Sequence, residues 1–276
     1  MAHCRLIPYA YLIHSAFPFL PLHNTSKKMN NQIQIIKFDA LASTNSEAHQ
    51  IVATARPKIE TVVWALDQSN GRGQRDNRWV VEPGKNLTFS IILYPNYLPI
   101  IRQFALSQAT AIAIASVLSD LVPNKKVSIK WPNDIYIDNK KVGGLLLEHS
   151  IMGSAIDYSI VGIGLNVNQD EFPKSLPNPT SLTIETKNSY NLEEILNNLL
   201  QAFLLQIEML KAQNYDVIHE EFKRRLFRNE GFHLFETEAS QFSAKIADIR
   251  QTGEMVLELA DGSQTAYAFK EVSYVI

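Results

Sequence analysis

VSIKWPNDIYIDNKKVGGLLLEHSIMGSAIDYSIVGI, residues 127–163, decides the fold. Residues 127–131, 135–138, 141–148 and 155–163 each have the length and β-branched content of a strand. Asn139-Lys140 makes a tight joint between the second and third runs, and a turn around Gly153 separates the third from the fourth. The reading is a meander, part of a mostly antiparallel sheet with helices packed on one face.

Working outward, residues 33–38, 61–66 and 87–94 are further strands. Thr44 and Glu47 have the spacing of a capping box, which predicts a helix from Asn45 towards Ala55, closed by Arg56-Pro57. Residues 101–121 carry Phe104, Ala111, Ala115 and Leu118 near helical spacing and form a long central helix that Pro123 stops. Leu192, Ile195, Leu196, Leu199, Leu200, Phe203 and Ile207 make residues 192–211 an amphipathic helix, and 215–228 a second. Beyond residue 230 the text turns to short β segments, 232–235, 242–249, 254–259 and 265–269, with a hairpin at Asp261-Gly262. The predicted class is α+β, with residues 29–229 as one domain and 230–276 as a small β-barrel-like domain.

The 276 residues are 46% apolar and 20% charged, the proportions of a folded globular chain. Lysine and arginine number 26 against 28 acids, so no global positive field exists to hold nucleic acid, and an anionic ligand needs a local basic cluster. Cys4 is the single cysteine, which excludes an intrachain disulfide or a multi-thiolate zinc site and points to a reducing compartment or to no use of sulfur chemistry; a cytoplasmic location is expected. No apolar run reads as long enough for a membrane span. Residues 1–28, with Pro8, Pro18 and Pro21 interrupting an apolar stretch, read as a poorly ordered extension, whereas Met29 opens a more ordinary beginning.

Three segments could carry chemistry. Residues 68–79, QSNGRGQRDNRW, set Arg72, Arg75 and Arg78 against the one acid Asp76, and two glycines flank Arg72. Such a loop can bring backbone amides and guanidinium groups to phosphate or carboxylate oxygens, and taken alone it fits a solvated turn equally well. Lys130 ends a strand before Trp131-Pro132-Asn133-Asp134, where an ammonium can meet an anion or simply snorkel. Gly143-Gly144 within a strand suggests that another backbone or a ligand lies against it. Residues 161–168 read as a glycine-spaced strand ending in asparagines, which suit amides and purine edges or simply make a bulged strand with a polar end. The P-loop, H-E-x-x-H, G-x-S-x-G and C-x-x-C patterns are absent from the sequence, so ligation of a metal by protein side chains has no support.

Taken in order, Ser43-Thr44-Asn45, Gly71-Arg72-Gly73 with Arg75 and Trp79, Lys130 to Asp134, Gly143-Gly144 to Glu148, and Gly162 to Asn166 resemble the biotin–protein ligases. The resemblance covers residues 33–276 and implies a class II synthetase-like catalytic domain followed by an SH3-like β-barrel. It implies formation of biotinyl-5′-adenylate from biotin and ATP, then transfer of biotin to a lysine of a biotin carboxyl carrier domain of a biotin-dependent carboxylase. Lys130 and Arg72 would be catalytic. Biotin would contact Ser43, Thr44, Asn45, Gln68, Gly71, Arg72, Lys130, Gly143 and Gly144. ATP and the adenylate would contact Arg72, Arg75, Arg78, Trp79, Lys130, Asn133 and Asn166. Mg²⁺ would travel with ATP, held mainly by phosphates and water. Relatives commonly read G-R-G-R-x-G-R in the loop, and Gln74, Asp76 and Asn77 depart from that pattern. The proline-broken residues before Ile33 do not suit the winged helix-turn-helix of two-function members, so no DNA-binding role is expected, and a homodimer stays open. The alternative is a lipoate or octanoate ligase or transferase of the same fold, whose R-x-S-G-G-G loop is not found. Further off is a repressor or binding module that only sequesters the vitamin.

Overall fold

The structure, a computed structural model, describes residues 4–7, 33–74 and 78–276. Eight strands share one sheet: β1 (Cys4–Ile7), β2 (Gln34–Phe38), β3 (Thr61–Ala65), β4 (Leu87–Leu93), β5 (Val127–Lys130), β6 (Asp134–Ile137), β7 (Lys140–Met152) and β8 (Ala155–Leu165). Their order is β1-β2-β3-β4-β8-β7-β6-β5, and among the described residues only β2 and β3 pair in parallel. The meander β5 to β8 forms as the sequence predicts, because each joint is too short for a crossover. Most of the expected extension lies outside the described residues. Its Cys4–Ile7 segment departs from the reading by pairing antiparallel with β2 as the edge strand.

Helices α1 (Thr44–Thr54), α2 (Phe104–Leu121), α3 (Leu182–Thr186), α4 (Leu192–Lys211) and α5 (Tyr215–Arg224) cover the sheet on both faces rather than one. Side chains alternate along a strand, and the two cores divide accordingly. Val63, Ile92 and Ile160 pack with Ala48 and Val52 of α1, whereas their neighbours Val62, Ile91 and Val161 join the larger core under α2 and α4. α2 is long and apolar enough to cross a bilayer, contrary to the sequence reading: an 18-residue stretch within residues 100–121 has a mean hydropathy of 1.5. Here it is buried between the sheet and helices α4 and α5, which need an apolar surface all round it.

α5 ends four residues earlier than predicted, because residues 225–227 run along the outer edge of β5. Ile129 donates its amide to the Arg225 carbonyl at 2.8 Å, and the Phe227 amide returns to the Ile129 carbonyl at 2.8 Å. α3, not expected from the sequence, is a single capped turn in which Ser181 Oγ accepts from the Ile184 amide.

The C-terminal strands β9 (His233–Glu236), β10 (Gln241–Ile249), β11 (Met255–Glu258), β12 (Gln264–Tyr267) and β13 (Ser273–Tyr274) form a second, antiparallel sheet in the order β12-β11-β10-β9-β13. Its buried Phe235, Ala244, Leu257 and Tyr274 continue into the main core. Trp131 fastens the two parts: its Nε1 donates to the Gly253 carbonyl at 2.8 Å and its ring meets Phe269 edge to face.

Candidate active site

The N-terminus of α1 opens into a cleft, and its polar side chains serve that cleft rather than the helix end. Ser43, not Thr44, occupies the N-cap position, and no side chain caps the helix. The predicted capping box is replaced by a network. The Thr44 amide donates to Gln68 Oε1 at 2.7 Å, and the buried Ser90 hydroxyl is shared between Thr44 Oγ1 (2.8 Å) and Asn45 Oδ1 (2.6 Å). Asn45 Nδ2 then reaches the Leu146 carbonyl at 3.2 Å and Glu148 Oε2 at 2.7 Å. Both ends of the Asn45 amide are therefore engaged, which holds this wall rigid.

The glycine loop closes over the same site. Trp79 donates its amide to the Gly71 carbonyl at 2.9 Å, and Arg72 pairs antiparallel with Arg78, so the two described arms of the loop lie side by side. Gly71 is required by that turn, since a Cβ there would lie 2.4 Å from the Trp79 carbonyl oxygen. Arg72 Nη2 donates to Glu148 Oε1 at 2.6 Å, and Arg78 Nη2 to Asn70 Oδ1 at 3.1 Å. Arg75 lies outside the described residues.

Glu148 thus joins α1, β7 and the loop. Burial opposes its ionisation, but the Asn45 amide, the Arg72 guanidinium and His49 together outweigh burial and hold its carboxyl below the ordinary value. A depressed carboxyl contributes stability above its unfolded pKa, and that contribution is lost as pH falls through the folded value. Glu148→Gln is expected to flatten the acid limb of a melting-temperature-against-pH curve below about pH 4.5. With Arg72 43% exposed, the effect at neutral pH should stay within about 1 kcal/mol.

On the opposite wall, Lys130 ends β5 with its Nζ 5.4 Å from the ring centres of both Tyr136 and Tyr274. Burial lowers its pKa, Asp134 works against that, and Lys141 and Arg228 add to it. Asn133 Nδ2 donates to the Leu145 carbonyl at 2.6 Å, and the Leu145 amide returns to the Asn133 carbonyl at 2.9 Å, which locks the turn after Lys130 to β7.

Ser43, Thr44, Asn45, Gln68, Arg72, Arg78, Trp79, Lys130, Asn133 and Gly144 all line this one cleft, as the sequence grouped them. Gly71 and Gly143 sit just behind it, where they let backbones approach: a Cβ at Gly143 would be 3.0 Å from the Gly164 carbonyl oxygen. Asn166 does not line it. That side chain is buried, its Nδ2 donating to the Thr180 carbonyl at 2.9 Å, and its Oδ1 has no protein partner.

The sequence reading missed Lys141 and Asp134 as site residues; both line the cleft, ion-paired at 2.6 Å. Their place beside Lys130 and Gly143-Gly144 was the available signal. It also missed Phe269, Val272, Ser273 and Tyr274, which the C-terminal sheet brings to the rim and for which no local pattern exists. Among the described residues Arg72, Arg78, Lys130 and Lys141 line the cleft with one carboxylate, Asp134, so a chain of net charge −2 concentrates positive charge here. Among them too, no group of three or more His, Cys, Asp or Glu side chains could hold a metal ion. The lining offers neutral polar groups, Thr44 and Gln68 among them, and cations, Arg72 and Lys130 among them, so the cleft can take a ligand with both an uncharged polar part and an anionic part.

Residues 38–166 match the model of the biotin/lipoate A/B protein ligase family. The chain is 31% identical over 172 residues to the bifunctional ligase/repressor BirA of Bacillus subtilis, covering 61% of this chain and 52% of that one. It is 27% identical over 235 residues to the biotin–[acetyl-CoA-carboxylase] ligase of Paracoccus denitrificans, covering 80% and 93%. The match thus spans about half the length of the Bacillus relative and most of the Paracoccus one. In fold it is similar to the biotin protein ligase from Aquifex aeolicus in complex with biotin and ATP, with a TM-score of 0.72, 23% identity and coverage of 87% and 97%. The ordered motifs, the cleft they build and these likenesses converge: over residues 38–166 the chain matches the biotin/lipoate A/B protein ligase family, and its relatives include biotin ligases.

Proposed function

We propose that the protein is a cytoplasmic, ATP-dependent biotin–protein ligase. The observation that carries this reading is one cleft lined both by neutral polar groups, Thr44 and Gln68 among them, and by the cations Arg72 and Lys130. Biotin suits both, with an uncharged ureido ring at one end and a carboxylate at the other.

In the first step a biotin carboxylate oxygen attacks the α-phosphorus of ATP and pyrophosphate leaves. Arg72, tethered by Glu148, meets the carboxylate, and Lys130 meets the α-phosphate oxygens as charge builds on them. Arg78 and Lys141 add positive charge along the phosphates, and Trp79 walls the adenylate from water. In the second step a carrier lysine amine attacks the biotinyl carbonyl and AMP leaves. Mg²⁺ would enter on the triphosphate and neutralise its charge, which suits a cleft whose one carboxylate, among the described residues, is paired with Lys141. Asn166 would read the adenine only if its buried amide oxygen became accessible, so its role is the one most open to test. The partner is the carrier domain of a biotin-dependent carboxylase. DNA binding is not part of this reading, because the cationic side chains singled out in it face a cleft rather than a duplex. Pairing of two copies is left to measurement.

The test is to incubate the protein with a biotin carrier domain, ATP and Mg²⁺, offering biotin or lipoate, and to weigh the carrier. A mass gain of one biotin, dependent on ATP, is expected. Modification by lipoate but not biotin would overturn the reading in favour of the other branch of the family.

A pH prediction follows from Lys130. Burial depresses its pKa, and the protonated form is the useful one, so adenylate formation should fall as pH rises through a value below the ordinary lysine range. Lys130→Arg cannot lose its proton there and should show a lower but flatter alkaline limb when pyrophosphate release is followed against pH.

A further inference from the structure

Among the described residues Lys130 has no carboxylate of its own. Asp134, the acid that favours its charge, is ion-paired with Lys141 at 2.6 Å, and the cations Lys141 and Arg228 both disfavour that charge. What faces its ammonium is aromatic: the ring centres of Tyr136 on β6 and Tyr274 on β13 each lie 5.4 Å from Nζ. The two rings come from different sheets and are joined through Phe227, which meets Tyr136 at 5.2 Å and Tyr274 at 5.7 Å between centres. Tyr274 is 7% exposed, pairs with Phe235 across β9, and packs on that ring at 5.0 Å.

We propose that Tyr136 and Tyr274 form a two-ring seat that positions the Lys130 ammonium, so that the C-terminal sheet is a working part of the adenylation site. The proposal rests on the ligase reading above.

The physical case is one of donors and charge. A carboxylate partner would hold Lys130 in place but occupy its N–H donors and cancel the positive charge that the α-phosphate needs. An aromatic face attracts a cation through its quadrupole, takes no full hydrogen bond and leaves the net charge intact. The seat therefore restrains a side chain with four rotatable bonds while its three donors remain available to ligand oxygens. Both rings must stay neutral phenols for this, and burial raises both hydroxyls, that of Tyr136 to about 12. Tyr136 and Tyr274 are positioning residues here, since neither is assigned a contact with the reacting atoms. The Tyr274 hydroxyl donates to Met255 Sδ at 3.7 Å, which ties the ring to the C-terminal sheet.

The decisive comparison is at position 274 in the full chain, among tyrosine, Tyr274→Phe, Tyr274→Leu, and a variant carrying 3,4,5-trifluorophenylalanine. The fluorinated ring keeps the shape of phenylalanine but drains its face of negative potential, so it remains informative if Tyr274→Leu fails to fold. Two readouts are taken: the rate of pyrophosphate release with biotin and ATP across pH, and the titration of the Lys130 Nζ by NMR in ¹⁵N-lysine-labelled protein without substrates. Tyr274→Phe keeps the ring and serves as the reference for the other two variants. The fluorinated variant should lose roughly threefold to tenfold in rate relative to Tyr274→Phe. Its Lys130 should also titrate at lower pH, which moves the alkaline limb the same way. A residue that merely packs would shift neither readout between the two isosteric rings. Equal rates and equal titration in Phe and trifluorophenylalanine variants would overturn the seat. A wild-type protein that makes no adenylate from biotin would instead overturn the ligase reading, and the NMR titration would still judge the seat.

Discussion

Lys130→Met is expected to slow formation of biotinyl-adenylate by about 10² to 10³, the usual cost of removing one charged or hydrogen-bonding group aimed at a transition state. Two anions must approach each other in this step, the biotin carboxylate and the α-phosphate, and negative charge then builds on the phosphoryl oxygens. A cation already in place at the end of β5 stabilises that arrangement more than it stabilises the separated substrates. Methionine keeps most of the stem length, so packing should survive. The melting temperature should hold or rise slightly, because burial already disfavours the ammonium. Adenylate formation and transfer from synthetic biotinyl-adenylate are to be measured separately. A variant that melts normally and forms adenylate at the wild-type rate would return Lys130 to a snorkelling side chain.

Gly162→Ala is expected to damage both fold and site, although it adds one methyl group. The new Cβ would stand 2.2 Å from Asn45 Oδ1, and Asn45 cannot retreat, because Ser90, the Leu146 carbonyl and Glu148 hold both ends of its amide. Overpacking of this kind costs about 1–3 kcal/mol, which in a chain of this size lowers Tm by roughly 5 °C. Asn45 lines the wall against which biotin would lie, so half-saturation by biotin should rise at least on the order of tenfold, if about 1.4 kcal/mol of that strain falls on the bound state. Gly144→Ala is the control. Its Cβ would meet Asp134 Oδ1 at 3.4 Å and Lys141 Cε at 3.5 Å, ordinary contacts, so the fold should tolerate it. Equal melting temperatures and equal biotin affinity in the two alanine variants would show that the Gly162 wall yields more readily than its hydrogen bonds suggest.

Both glycines stood out in the sequence, and only the structure separates what a methyl group would meet at each. The sequence by itself determined what depends on nearest neighbours along the chain. Period-two runs and tight turns are local, so the meander from β5 to β8 and the strands β2, β3 and β4 were legible, as was α4 from its three- and four-residue apolar spacing. The order of the motifs, too, was a property of the text.

What the sequence could not determine is what depends on contacts across long separations. Thr44 carries a capping signal, yet its hydroxyl meets Ser90, 46 residues away, because the helix end faces a polar cleft where Ser90 is also buried. Val62 and Val63 look alike in the sequence, and only the placing of α1 against α2 across the sheet sends them to different cores. Asn166 reads as a ligand group, but the folding of residues 180–182 against it draws its amide into the protein. Tyr274 has no motif at all, and it reaches Lys130 because the C-terminal sheet packs through Phe227 onto Tyr136. Local propensity and spacing act through neighbours in the chain, whereas burial, close approach and charge placement are set by whichever residues the packed core brings together.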